Sequence, residues 1–387
     1  MTPSDDWLNL AHVDVSPEGV EAVAGTLRSG WLSMGRAAQS FEAMLRELTG
    51  APHAVMTGSC TAATEVALRG LGVGPGDEVI VPAFTWPSAV SAACGCGAVP
   101  VAADIDPDTL ILSPAAVGEQ VTARTRAVLV VDYAGAPADI AGLRAVLPRS
   151  IPVLEDAAHA FGTVRGTRFA GTEADVGLYS FGATKTFALG EGGAIVCSDP
   201  DLAARCRALR NTGVTASSFD KHQRRSSDHD VIGVGLNAKP TETVAALGVA
   251  EASRLPAVFG TRTRAWLRLR SALADVVALP AVPAGAVVVP YLFPVITRTP
   301  VERDAAYTHL RDHRIEAGKH YPPLHRFAAL TDALQVRGAL PHTEATSERV
   351  LTLPCHQGLG EAGVDRLIAE LTDALDAATT GAPALAS

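Results

Sequence analysis

The chain has 387 residues, 48% of them hydrophobic and 19% charged, with a formal net charge of −9. That length exceeds one small core and suits a large domain followed by a smaller one. The acidic balance lacks the basic face that a nucleic-acid or anionic-membrane partner needs, and no run approaches the roughly 18 apolar residues of a membrane span.

The first residues, MTPSDDWLNLAHVDVS, are acidic where a signal peptide is basic and contain no apolar segment, so the cytoplasm is the expected location. Helical stretches at 61–71 and 87–96 then alternate with short β-branched runs at 78–81, 98–102, 127–131, 151–154 and 193–196. This order predicts an α/β fold with a mostly parallel sheet and helices on both faces. GPGD at 74–77 and DPD at 106–108 mark turns at the joints. Residues 211–230 are polar and aperiodic and read as a mobile loop, either functional or a plain surface excursion. A long helix over 239–270, broken near Pro256, leads out of the large domain, which is taken as 1–250. The remainder, 251–387, reads as a smaller α+β domain, with strand over 287–296, helices over 302–313 and 361–377, and a frayed tail from Ala378.

Six cysteines are scattered without framework spacing, and only Cys94 and Cys96 lie close together. Structural zinc usually takes four ligands in recognisable pairs, so buried thiols are expected and no metal. Lysine is scarce. Lys185, Lys221, Lys239 and Lys319 are the only four, which leaves few amines for covalent chemistry with a carbonyl group.

Three segments carry chemistry. TGSCTAA (57–63) sets small hydroxyl residues at a helix start, where unpaired N–H groups and the helix dipole favour a phosphate; the same residues also serve as ordinary N-caps. In VLEDAAHA (153–160) an apolar strand ends on two carboxylates, at the strand ends where open α/β sheets hold ligands. Asp156 there can pair with a protonated pyridine nitrogen, with His159 orienting it or covering the ring. An acidic helix start with a structural histidine is the other reading. In GLYSFGATK (177–185), followed by GEGGAIV, a strand delivers Ser180 and a turn presents Lys185 among small and apolar neighbours. An amine so placed can form an imine with a carbonyl cofactor and carry a proton.

These stretches, together with GSCTAATEVALRGLGVGPGDEVIVPAFTW and GLNAKPTETVAALG, resemble the DegT/DnrJ/StrS group of sugar and cyclitol aminotransferases over nearly the whole chain. The resemblance implies the aspartate-aminotransferase type of fold (fold type I), with a three-layer large domain, and pyridoxal phosphate as cofactor. It implies a Schiff base on Lys185, Asp156 on the pyridine nitrogen, and Ser180, Thr61 and the Cys60 amide on the phosphate. Trp86 would stack on the ring, helped by His159. It further implies a homodimer with shared sites, in which Asn237 reaches the partner subunit's phosphate. The reaction implied moves an amino group from glutamate or glutamine to a keto sugar or keto cyclitol, with TW and HYPPLH closer to cyclitol and antibiotic-pathway members. Lys319, His320 and Tyr321, in GKHYPPLH (318–325), resemble the segment that closes over the substrate, and a Pro-rich turn with packed aromatics is the alternative there. His356 is read as packing or a strand end.

The chain also departs from the group's pattern. Cys60 stands where glycine is usual, Asp132 where histidine is frequent, Lys239-Pro240 where Arg precedes Met or Leu, and Ala238 where an aromatic is common. Relatives that dehydrate sugars carry histidine in place of the lysine, and Lys185 argues against that branch. Elimination, aromatising dehydration or carbon–carbon bond change on the same cofactor is the first alternative, and a non-catalytic regulatory or scaffold role is the second.

Overall fold

Runs of valine, isoleucine and alanine that are apolar on both faces become strands covered from both sides. The computed structural model describes residues 7–225 and 227–380. In chain order its strands are β1 (His53–Thr57), β2 (Glu78–Pro82), β3 (Val99–Ala103), β4 (Thr125–Val131), β5 (Val153–Asp156), β6 (Val164–Arg165), β7 (Arg168–Phe169), β8 (Val176–Ser180), β9 (Gly193–Cys197), β10 (Ala286–Val287), β11 (Phe293–Ile296), β12 (Gln335–Val336) and β13 (Val350–Leu353). Eight of them form one sheet in the order β1-β9-β8-β5-β4-β2-β3-β12. All pairings from β8 to β12 are parallel. Only β9 opposes the rest, being antiparallel to both β8 and β1.

Side chains alternate between two helical layers, as a period of two requires. Val79 and Val81 pack with Val66 and Leu68 of the helix Cys60–Gly70 and with Leu202 of Pro200–Leu209. Ile80 faces the other way, toward Val117, Ile140 and Leu143. At the opposite end Val196 packs with Phe41 and Leu45 of the helix Arg36–Thr49. The expected three layers are present. Because seven strands share a direction, their carboxyl ends collect at one rim, where Thr57, Pro82, Val131, Asp156 and Ser180 stand and Gly193 opens β9.

The C-terminal part has its own core. β11 and β13 pair antiparallel, and Leu269, Phe293, Val295, Leu310, Leu351 and Leu367 pack between them and the helices Leu255–Leu273, Pro300–Asp312 and Gly360–Thr380. β12 nevertheless returns to pair with β3 at the edge of the large sheet. β10 likewise pairs with β6, and Leu8 bridges to Ile315; we keep the domain division at residue 250 as a proposal, with those crossings. Among the described residues no helix is long and apolar enough to cross a membrane.

Three expectations need correction. The stretch 211–230 is not all loop, since Ser218–Arg224 form a helix and Phe219, a lone apolar anchor in polar sequence, packs its ring 5.5 Å from Trp31. The stretch 287–296 holds two strands rather than one. Pro290 has no N–H for a ladder, and the Val289 N–H turns to Thr163 Oγ1 at 2.9 Å. The break expected near Pro256 is present, between the helices Glu242–Glu251 and Leu255–Leu273, and Pro256 sits in the first turn of the second, where a missing N–H is harmless. The tail that was expected to fray continues the last helix to Thr380, and residues 381–387 lie outside the described residues.

Arg262 holds the C-terminal part together. It is 1% exposed and has no carboxylate partner among the described residues. Its guanidinium donates to Gln357 Oε1 (2.9 Å), Pro290 O (3.1 Å) and Cys355 O (3.0 Å), and burial pushes its pKa down to about 10. Arg262→Ala leaves a cavity and two buried carbonyls without donors, and is expected to lower stability by about 3–5 kcal/mol in urea unfolding.

Candidate active site

The rim begins where β1 ends. Gly58 and Ser59 turn the chain into the helix Cys60–Gly70, and Ser59 caps it by accepting the Ala62 N–H at 3.1 Å. The amides of Cys60 and Thr61 are left without an acceptor among the described residues. Gly193 lies hard against this turn. A Cβ there would stand 2.5 Å from Cys60 N and 2.4 Å from the Ser59 carbonyl carbon, so a larger residue would push β9 away from the helix start. Ser180 is Gly193's partner across the β8–β9 ladder, which brings its hydroxyl to the same corner. Free amides, a hydroxyl and the positive end of a helix dipole make an anion cradle.

Asp156 ends β5 beside that cradle and is 8% exposed. Its Oδ1 accepts the Ala158 N–H at 3.0 Å and faces Cys60 Sγ at 3.9 Å, while Oδ2 has no hydrogen-bond partner among the described residues. Burial pushes the carboxyl up, and the Ala158 amide and the Lys185 charge pull against it. Burial and the neighbouring Asp156 push the Cys60 thiol well up, which keeps it a neutral S–H donor. Lys185 follows β8 through a turn in which its N–H bonds Gly182 O at 3.0 Å. Its Nζ stands 4.0 Å over the ring of Tyr291, a favourable cation–π placement.

His159 packs on the same tyrosine, ring centroids 4.4 Å apart, and its Nε2 lies 3.2 Å from Tyr321 Oη. Its Nδ1 is buried without a partner, the kind of orphan that calls for an absent group. Burial first, then the charges of Lys185 and His320, hold this imidazole well below its usual range, so it is neutral.

Cys60, Asp156, His159, Ser180 and Lys185 therefore meet at one rim. Tyr321 and His320 join them from the C-terminal part; His320 Nδ1 bonds Thr352 Oγ1 at 2.5 Å, and burial and Lys185 lower its pKa. Trp86 is 61% exposed, with its ring 6.1 Å from Tyr321. Thr61 is exposed on the first helical turn. Asn237 is exposed and bridges to Asn211, next to Ala238, whose carbonyl accepts the Gly58 N–H at 2.9 Å. Lys319 turns elsewhere, pairing with Asp304 Oδ1 at 2.6 Å over the Tyr307 ring. His356 is buried, with Nε2 2.8 Å from Asn9 O, and serves packing.

Sequence reasoning missed two tyrosines. Tyr133 donates to His320 O at 2.7 Å and lies 6.3 Å from the His159 ring. It sits just past the end of β4, so the strand-end rule that found Asp156 could have found it too. Tyr291, which also bonds Thr184 Oγ1 at 2.9 Å, carries no local signal beyond its place among only five tyrosines.

Next to the crevice lies a carboxyl pair. Asp132 is fully buried; its Oδ1 accepts the Ala138 N–H at 2.8 Å, and Oδ2 has no donor to accept from. Protonated, that oxygen can donate to Glu155, which itself accepts the amides of Gly171 (2.8 Å) and Glu173 (3.2 Å). Burial above all, then the Glu155 charge, pushes Asp132 well up, and burial also raises Glu155.

Comparison with known proteins gives a consistent answer. The profile of the DegT/DnrJ/EryC1/StrS aminotransferase family matches residues 14–372. The aminotransferase TlmJ from Streptoalloteichus hindustanus is 32% identical, with 96% of this chain and 99% of that one covered and a TM-score of 0.87. DesV from S. venezuelae, solved with a ketimine intermediate, is 34% identical over 92% of this chain and 94% of its own, at 0.84. Spr1654 of Streptococcus pneumoniae, provisionally assigned as a sugar aminotransferase and solved in its PLP form, is 26% identical over 96% and 99%, at 0.88.

The carboxyl pair sets a pH dependence with a definite sign. A carboxyl held above its unfolded pKa favours the fold at low pH, and that stability is lost as pH rises through the raised value. Asp132→Asn keeps the acceptor for Ala138 and removes one ionisation. Its melting temperature is therefore expected to fall less than that of the parent chain between about pH 5 and about pH 8, as read by calorimetry.

Proposed function

This chain belongs to the DegT/DnrJ/EryC1/StrS aminotransferase family, and we propose that it aminates a ketone on a sugar or cyclitol ring, with glutamate or glutamine as donor. It is a pyridoxal-phosphate-dependent aminotransferase. The crevice fits that cofactor: Asp156 Oδ2 and the amides of Cys60 and Thr61 are unused, and His159 Nδ1 is a buried orphan. When bound, the cofactor supplies an electron sink for a carbanion beside the reacting nitrogen.

The residues divide the work by chemistry. Lys185 would hold the cofactor covalently through Nζ and, once released, move a proton at that same atom. Asp156 would keep the pyridine nitrogen protonated through Oδ2. The Cys60 amide, Thr61 and Ser180 would bind the phosphate. Neutral His159 and the Trp86 indole would cover the ring, and Tyr291 would receive the Lys185 ammonium. His320 and Tyr321 would bind hydroxyls of the acceptor. Exposed Asn237 suits a role across a homodimer interface, toward the partner subunit's phosphate. Lys319, paired with Asp304, is the least supported of the substrate contacts. We place the enzyme in the cytoplasm and in secondary metabolism, the latter on the likeness of its TW and HYPPLH stretches to antibiotic-pathway members of the family.

The observation that carries this reading is the buried Asp156 carboxyl facing the Lys185 amine beneath His159 and Tyr291. Borohydride reduction of the loaded enzyme is expected to fix one cofactor mass on Lys185, and none on Lys185→Ala, whose turnover falls by at least about a thousandfold. In single-turnover assays, glutamate or glutamine should leave the aminated cofactor and one equivalent of 2-oxo acid. Borohydride labelling that persists in Lys185→Ala would overturn the lysine's role, and regeneration of the starting cofactor without a 2-oxo acid would overturn transamination.

A further inference from the structure

The C-terminal part carries a second cluster with a chemistry of its own. His309 lies in the last turn of the helix Pro300–Asp312, and His313 follows one turn later. At that i,i+4 spacing both imidazoles lie on one face, and their rings stack with centroids 4.1 Å apart. Glu370 comes from the closing helix Gly360–Thr380, which packs against the first. His309 Nε2 lies 3.0 Å from Glu370 Oε2, and His313 Nε2 lies 3.8 Å from the same oxygen.

His313 Nδ1 is 2.8 Å from His309 O, and a carbonyl only accepts, so Nδ1 carries a proton. In the neutral ring Nε2 is then the atom with the lone pair, turned toward the Glu370 carboxylate and available to a cation where the three atoms converge.

We propose that His309, His313 and Glu370 bind one divalent ion of the zinc class (Zn²⁺, Co²⁺ or Ni²⁺), clasping the two helices. The donor set, two imidazoles and a carboxylate, is one that zinc takes. Bonds of about 2.0–2.1 Å at a tetrahedral centre put neighbouring donors about 3.3 Å apart, and the observed 3.0 and 3.8 Å bracket that spacing. All three donor atoms lie within 4.8 Å of one another. The Nδ1–H bond to His309 O is the outer contact that fixes the tautomer of a ligating histidine and presents Nε2. Arg366 holds the turn by donating to His313 O at 2.5 Å. The His313 side chain is 40% exposed, so an ion can enter and water can complete the set. A search for metal ligands among the cysteines passes over this pair.

The test titrates Co²⁺ into the cofactor-loaded enzyme and reads the visible absorption, with Zn²⁺ calorimetry alongside. One equivalent per chain is expected, with no thiolate-to-cobalt band, and at least tenfold weaker binding in His313→Ala and in Glu370→Gln. Aminotransferase activity of these variants should match the parent, which shows that they fold; His309→Gln replaces any variant that does not. No stoichiometric uptake by the parent, unchanged affinity in the folded variants, or a thiolate band would each overturn the proposal. The metal-binding readouts do not depend on the chemistry at Lys185.

Discussion

A carboxyl group taken out of water opposite an amine is the constraint on which the site depends. Asp156 is buried, and burial alone favours its neutral form; the Lys185 charge and the Ala158 amide favour the ionised one. These contributions oppose one another, so a cation facing the free Oδ2 favours the ionised form. The residues around Asp156 add no competing charge, since the Cys60 thiol and the His159 imidazole are both held neutral.

The architecture serves that juxtaposition. Asp156, Ser180 and the Cys60 helix start come from three separate strands, and only a shared strand direction brings their ends to one rim. The reversed strand β9 lets Gly193 close the corner between Ser180 and Cys60, where any side chain would collide. The C-terminal part then supplies the lid and wall. Tyr321 bonds His159, Tyr133 bonds His320 O, and Arg262 fixes the carbonyl of Pro290 beside Tyr291. Packing in that part is therefore coupled to the position of the ring under the Lys185 amine.

Much of this was legible in the residue pattern, and the reasons for the rest are physical. The central strands were found within about two residues because they are buried on both faces and read as continuous apolar runs. Lys185, Asp156 and Ser180 were found because strand ends and glycine-rich turns mark where an open sheet presents chemistry. The helix Arg36–Thr49 was not, because its start is set by a distant residue: Glu242 accepts the amides of Gly35, Ala37 and Ala38 at 2.7, 2.5 and 3.2 Å. The helix Pro341–Arg349 likewise has its first amides, those of His342 and Thr343, bound by Asp104. A local reading cannot see a cap contributed from some 200 residues away. Tyr291 escaped for the same reason, since its meaning lies in what the chain folds against it.

The Asp132 departure then acquires a physical role. Asp132, Glu155 and Asp156 crowd the ends of two adjacent strands, and the Asp132 N–H bonds Asp156 O at 3.0 Å. Asp132 and Glu155 cannot both ionise, because the Glu155 charge raises Asp132 and Asp156 adds to it. Only Asp156 faces the Lys185 ammonium. Glu155 has three backbone amides, and Asp132 has one, with an oxygen that finds a partner only by holding a proton. The order of ionisation follows from that inventory: Asp156 is the carboxyl that responds to a cation in the crevice, while Asp132 stays protonated and bound to Glu155. Histidine at 132, protonated, would add a positive charge beside Asp156 and deepen its ionisation. A neutral acid there leaves the ionisation of Asp156 governed by Lys185 and by whatever cation meets its free oxygen.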